Sequence, residues 1–192
     1  MGAVVSLASI PTGRPFTVDD LEGMPDDGNR YELIDGMLLV SPAPGWAHQE
    51  MGLALAVHLR ALCPRDLRVL VAPFAVQTAF DSEVQPDVIV TRFTDLTPKN
   101  LPVAPLLAVE VLSRSTRLVD RNLKKAHYER IGVPSYWILD PAEPGALMVF
   151  ELDDEGRYQE VAHVEGDDEF VATRPFSVSV VPARLLDGLR PR

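Results

Sequence analysis

Two short runs constrain this chain more than anything else in it. Gln85-Pro86-Asp87-Val88-Ile89-Val90 and Leu106-Leu107-Ala108-Val109-Glu110-Val111-Leu112-Ser113 are aliphatic, rich in β-branched residues and of strand length. Each contains one carboxylate that packing does not need. A carboxylate turned towards an apolar interior loses its hydration, and two side by side repel each other. A divalent cation offsets both costs. Mg²⁺ prefers hard oxygen ligands and takes only one or two protein carboxylates, leaving its other positions to water and phosphate oxygens. Asp87 and Glu110, on neighbouring buried strands, are therefore the first site candidates.

The 192 residues fit one domain with a sizeable core, and a hydrophobic fraction of 46% beside 24% charged residues is that of a globular protein. We read residues 1–15 as a flexible leader and 16–192 as the domain. The opening residues are apolar but lack a basic start, and they are too short to cross a bilayer. The single Cys63 excludes an internal disulfide framework, so a reducing, cytoplasmic setting is the default expectation. A net charge of -10 argues against tight, non-specific nucleic-acid binding, which depends on lysines and arginines releasing counterions. One segment departs from that balance: Glu110 to Arg130 holds six basic residues against three acids, directly beside the second acidic strand. A solvated helix face would explain those charges equally well.

Thr17-Val18-Asp19-Asp20-Leu21 has the form of a capped first helical turn. Asp35-Gly36, between Tyr31-Glu32-Leu33-Ile34 and Met37-Leu38-Leu39-Val40, predicts a hairpin that puts Glu32 on a strand. A helix is expected over 47–62, with His48 in its first turn and Met51, Leu55, Leu59 and Leu62 along one face. Strands follow at 67–72 and 74–78, then a turn over 80–83 before the Gln85 strand. After the second acidic strand, a helix is expected over 119–131, stopping at Gly132-Val133-Pro134 and returning as the strand Ser135-Tyr136-Trp137-Ile138-Leu139. That order makes a parallel crossover. Beyond Pro141 the pattern changes to hairpins, 147–152 with 157–164 and short strands near Phe170 and Val178, then a helical turn over 182–189. The fold class is α/β: a mixed central sheet flanked by helices, with additional C-terminal hairpins.

Tyr31-Glu32-Leu33-Ile34-Asp35-Gly36, Pro86-Asp87-Val88, Val109-Glu110-Val111-Leu112-Ser113, Lys124 with Tyr128, and Gly132-Val133 with Tyr136-Trp137-Ile138-Leu139-Asp140 occur in an order that resembles the Uma-type family. That family is of bacterial restriction-endonuclease-like proteins in the PD-(D/E)XK nuclease superfamily. The resemblance runs from about Phe16 to Pro141. It implies a restriction-endonuclease-like fold, a Mg²⁺-dependent endonuclease (Mn²⁺ serving as well) with DNA as substrate, and a homodimer. It implies Asp87 and Glu110 as metal ligands, Glu32 as the acid that joins them, and His48 lining the site. The superfamily's lysine stands two residues after the glutamate, where this chain has Leu112; the resemblance makes Lys124, on the following helix, the substitute.

Helical geometry supports that choice over Lys125. With about 100° between neighbours, Val119, Leu123, Ala126 and Ile131 define an apolar face, Lys124 lies at its margin and Lys125 points away. The ammonium of Lys124 would orient water or neutralise charge at the phosphorane-like transition state. Arg114, Arg117 and Arg121 are candidates for backbone contacts to nucleic acid, which carry no sequence information by themselves. Plainer roles compete with each of these. Asp87 can cap a turn, Glu110 can pair with an arginine, Glu32 can face solvent, and Asp120 can cap the helix or pair with Lys124 at i,i+4. Tyr128, Tyr136 and Trp137 are expected to pack between helix and sheet, and His58, His127 and His163 have no partners at ligand spacing. No zinc pattern, phosphate-binding glycine loop or nucleophile elbow is present. A catalytically silent nuclease-fold protein that binds nucleic acid or another protein is the rival reading.

Overall fold

Asp35 and Gly36 both adopt positive φ, 50° and 74°, the backbone of a two-residue hairpin turn whose twist matches its strands. They join β1 (Arg30–Ile34) to β2 (Met37–Ser41), paired antiparallel from Arg30 opposite Ser41 to Ile34 opposite Met37. The computed structural model describes residues 13–113 and 117–189; Arg114 and most of the expected leader lie outside them. Ahead of the hairpin, α1 (Val18–Leu21) is started by the Asp20 carboxylate accepting the Thr17 backbone N–H at 2.8 Å. The hairpin belongs to a five-stranded sheet with β4 (Ala75–Ala79), β5 (Ser82–Val84) and β7 (Asn100–Leu101), in the order β2-β1-β5-β4-β7.

The larger sheet holds β3 (Leu67–Val71), β6 (Val88–Arg92), β8 (Leu107–Val111), β9 (Ser135–Asp140), β10 (Ala146–Leu152) and β11 (Tyr158–Glu165). Its order is β11-β10-β9-β8-β6-β3, and β8 with β9 is its parallel pair, the crossover expected from the sequence. The C-terminal hairpins form as expected: β10 and β11 extend this sheet, while β12 (Phe170–Ala172) and β13 (Val178–Val180) make a small ribbon.

Strand alternation gives the larger sheet two unlike faces. Val88, Val90, Leu107, Val109, Val111, Trp137 and Leu139 pack on α2 (Trp46–Leu62), the ribbon and the helical turn Pro182–Leu189. Ile89, Ala108, Leu112, Tyr136 and Ile138 pack instead against Ile34, Val76 and Val84 of the smaller sheet and against Tyr128 of the crossover helix. Met51, Leu55 and Leu59 bury the inner face of α2 as predicted, but Leu62 is 52% exposed because the helix ends there and leaves the core. Trp137 also departs from expectation. It lies on the α2 face, one residue out of phase with Tyr136, so only Tyr136 joins Tyr128 under the crossover helix.

Two further differences shape the site. The expected turn over 80–83 is shorter, and Ser82–Val84 is a strand of the smaller sheet paired with β1 and β4. The chain changes sheets through Gln85-Pro86-Asp87, where Pro86 has no N–H to give to a ladder. Asp87 therefore precedes β6 rather than lying inside it. The crossover helix begins with a π-helical stretch, Val119–Lys124, before the α-helix α3 (Lys125–Ile131), which Gly132 closes at φ 81°. Hydrogen bonds to the fifth residue add a residue per turn, which breaks the 100° arithmetic of an α-helix. Ala126 is consequently exposed, while Asp120, Lys124, His127 and Tyr128 face inward.

Candidate active site

Antiparallel pairing of Val88 with Val109 continues to Ile89 with Ala108 and Val90 with Leu107. Extending that register by one residue sets Asp87, just ahead of β6, opposite Glu110; Glu110 lies on the face turned away from α2, and Asp87 reaches both Arg30 and His48 of α2. Both acids are buried, as are Glu32 from β1 and Lys124 and Asp120 from the π-helical stretch. The five side chains converge with Arg30 and His48 on a cleft of about 130 Å³.

Each acid is held from several directions. Glu32 accepts the Gln85 backbone N–H at 2.7 Å and the Lys124 ammonium at 2.9 Å. Oδ1 of Asp87 accepts from both terminal nitrogens of Arg30, at 3.1 Å each, and the same guanidinium donates to the Gln85 carbonyl at 3.0 Å. Oδ2 of Asp87 accepts the Val111 N–H at 2.8 Å and lies 3.1 Å from Nε2 of His48. Oε1 of Glu110 accepts from the Tyr128 hydroxyl at 2.7 Å and from Lys124 at 3.0 Å. Lys124 thus ties β1 to β8 through one ammonium.

The electrostatics favour added positive charge. Burial pushes the Glu110 carboxyl well above its ordinary range, and Asp87, Asp120 and Glu32 push the same way against the opposing pull of Lys124. Burial alone would lower Lys124, yet Glu110, Glu32, Asp120 and Asp87 outweigh it and raise the ammonium. For Asp87 burial acts upward, but His48, Arg30 and the Val111 N–H outweigh it and hold the carboxyl below its usual value. Tyr128 is raised well above its usual value by burial and then by Glu110, so its hydroxyl is a neutral donor. Among the described residues, four buried acids share the cleft with the two permanent cations Arg30 and Lys124.

That donor set suits Mg²⁺. Two carboxylates facing each other across neighbouring strands supply the one or two protein ligands the ion uses, and the surplus of negative charge gives it a reason to bind. No group of three or more His, Cys, Asp or Glu side chains is gathered as a ready-made chelate among the described residues. Glu32 is engaged by Lys124 and the Gln85 N–H.

The other predicted residues fall as follows. His48, in the first turn of α2, reaches the site through Asp87. Arg117 is bound to the Asp140 carboxylate at 2.8 Å, Arg121 is exposed, and Arg114 lies outside the described residues. Sequence reasoning passed over three residues. Arg30 is two positions from Glu32 on β1, and i,i+2 spacing on a strand was the available signal. Asp120, read there as a cap or ion pair, and Tyr128, read as packing, stand four residues either side of Lys124, so i,i+4 spacing pointed to all three together.

A crystal structure described as that of a putative nuclease belonging to DUF820, from Anabaena variabilis ATCC 29413, matches this fold with a TM-score of 0.71 at 19% identity, covering 92% of this chain and 100% of that chain. The architecture is thus a restriction-endonuclease-like fold. No curated protein matches the chain in sequence. The family model described as Uma2, putative restriction endonuclease, matches residues 18–184, and the chain belongs to that family. Among the described residues no helix is long and apolar enough to cross a membrane.

Proposed function

We propose that the chain is a Mg²⁺-dependent endodeoxyribonuclease, with Mn²⁺ able to serve, whose cleft hydrolyses DNA phosphodiester bonds. The observation that supports this most is the convergence of Glu32, Asp87, Glu110 and Lys124, from four separate segments, on one buried cleft with excess negative charge. Asp87 and Glu110 would hold the ion, which when bound supplies Lewis-acid charge and an acidified water.

The remaining work falls to the chain. Arg30 and the Val111 N–H fix the Asp87 carboxylate, and His48 borders it where the cleft meets the neighbouring cavity. Tyr128 and Lys124 fix Glu110. Because its neighbours keep Lys124 protonated, it acts as a donor and a charge, not as a base: an ammonium has three N–H bonds, and one beyond those to Glu32 and Glu110 can meet a water or a phosphate oxygen. Leu112, in the position where the superfamily has its lysine, is buried and apolar, so the only ammonium available to the cleft among the described residues comes from the helix. Paired copies of the chain in the cytoplasm would let two such sites act on two strands.

The test is nicking and linearisation of supercoiled plasmid with Mg²⁺ or Mn²⁺, comparing wild type with Asp87→Asn, Glu110→Gln and Lys124→Met prepared identically. Metal-dependent cleavage that disappears in all three variants is the expected result. Cleavage equal in all four samples, or absent from all four across plasmid, linear duplex and single-stranded DNA, would replace this reading with that of a silent nucleic-acid- or protein-binding member of the family.

A further inference from the structure

Trp46 is the first residue of α2 and is 70% exposed. An isolated exposed apolar residue needs no explanation, but this one has company. Leu53, seven positions along the same helix face, and Val71, at the end of the edge strand β3, are also exposed. With Trp46 they wall a cavity of about 450 Å³ whose remaining lining includes Glu50, His48 and Asp87. His48 and Asp87 also line the candidate active-site cleft. The apolar cavity and the cleft therefore share a wall made of two site residues.

The chemistry of that cavity selects what can enter it. Among the described residues no lysine or arginine lines it, and two of its residues, Glu50 and Asp87, are acids. A phosphate is repelled there. A nucleobase is not: its faces stack on an indole and on aliphatic side chains, and its amino and ring N–H edges can be accepted by a carboxylate such as Glu50. The volume lies in the range of pockets that hold one small organic group, about 300–1,000 Å³. Inside an intact duplex both faces of every base are covered by its neighbours, so a base can occupy this cavity only when it is unpaired and unstacked.

We propose that Trp46 forms the stacking platform of a nucleobase subsite, and that the chain cleaves beside an unpaired nucleotide, preferring single-stranded or interrupted DNA to continuous duplex. This rests on the nuclease reading above for its substrate class, while the subsite can be measured without cleavage. The chain has two tryptophans, and Trp137 is fully buried. Quenching of the exposed emission thus reports on Trp46.

The experiment titrates the full chain, without metal, with a single-stranded oligonucleotide and with its blunt duplex, following tryptophan emission. In parallel, cleavage of both substrates with Mg²⁺ or Mn²⁺ is compared for wild type, Trp46→Ala, Trp46→Phe and Glu110→Gln. The expected result is quenching by the single strand at concentrations where the duplex has little effect. Trp46→Ala should lose that quenching and cleave the single strand about ten- to a hundredfold less efficiently, whereas Trp46→Phe should keep most of the efficiency. Glu110→Gln, which lies outside the Trp46 cavity, should abolish cleavage and keep the quenching. Quenching without cleavage would remove the nuclease reading and leave the subsite standing. Cleavage to which Trp46→Ala is indifferent, or equal quenching by single strand and duplex, or none by either, would overturn the subsite.

Discussion

The two faces of the six-stranded sheet are made by the same strands and do opposite things. Val109 and Val111 point to the α2 side, into an apolar core, while Glu110 between them points to the crossover helix, where it meets Lys124 and Tyr128 and feels the acids Glu32 and Asp87. On the first side burial stabilises directly, at about 25 cal/mol per Å² of apolar surface. On the second side the desolvation of each charge must be offset by a partner at hydrogen-bond distance, and replacing such networks by apolar residues often stabilises a protein. The contrast teaches where this fold holds stability in reserve and where it keeps pre-organised charge in its place.

The strongest test of that contrast is Lys124→Met. It leaves Glu32 and Glu110 buried without their shared cation, and we expect a loss of about 3–5 kcal/mol in urea unfolding at neutral pH. Adding Glu110→Gln should restore part of it. A loss below about 1 kcal/mol would mean that the charges are less desolvated than their burial indicates. On the opposite face Leu139→Ala should cost about 2–5 kcal/mol by opening a cavity. Cleavage per folded molecule should stay unchanged below the melting temperature, because the substitution touches no site residue.

The polar face holds a buried histidine whose protonation links stability to pH between neutral and weakly acid conditions. His127 is buried against Arg130, with Nδ1 3.0 Å from the guanidinium, and burial with that neighbour lowers it from 6.5 to about 4. The unfolded chain therefore binds the proton first as pH falls. The stability that neutral His127 contributes is complete above about pH 6.5, is lost progressively towards pH 4 and changes no further below it, amounting to about 3 kcal/mol. His127→Gln should flatten that part of the pH–stability curve relative to wild type. Equal slopes for the two proteins would show that His127 is not desolvated.

A smaller effect should run the other way. A carboxyl raised in the folded state opposes folding increasingly as pH rises above the unfolded value, because the folded chain then holds the extra proton. Glu110→Gln should therefore raise the melting temperature at neutral pH, a gain of about 0.5–2 kcal/mol, while abolishing cleavage. Arg117→Ala, which breaks a half-exposed pair with Asp140, should change stability by no more than about 1 kcal/mol. If it lowers DNA affinity and the salt dependence of binding, the basic segment contacts phosphates.

Much of this was legible along the chain because its signals are local. Asp-Gly between two apolar runs fixes a hairpin, Gly132 followed by Pro134 stops a helix, and one carboxylate inside each of two apolar runs marks Asp87 and Glu110, whatever the rest of the molecule does. The family's order of motifs added Glu32, His48 and Lys124. The tertiary structure decided which sheet each strand joins, so that β5 left for the smaller sheet and Asp87 came to rest at the crossing. It also decided which face the crossover helix presents, since the π-helical stretch left Ala126, expected on the apolar face, exposed and set Asp120, Lys124 and Tyr128 inward. Partnerships such as Arg30 with Asp87 and Lys124 with both glutamates join residues far apart in sequence. Short-range propensity does not encode them, because a desolvated charge is stabilised only by the particular partner that folding brings within hydrogen-bond distance.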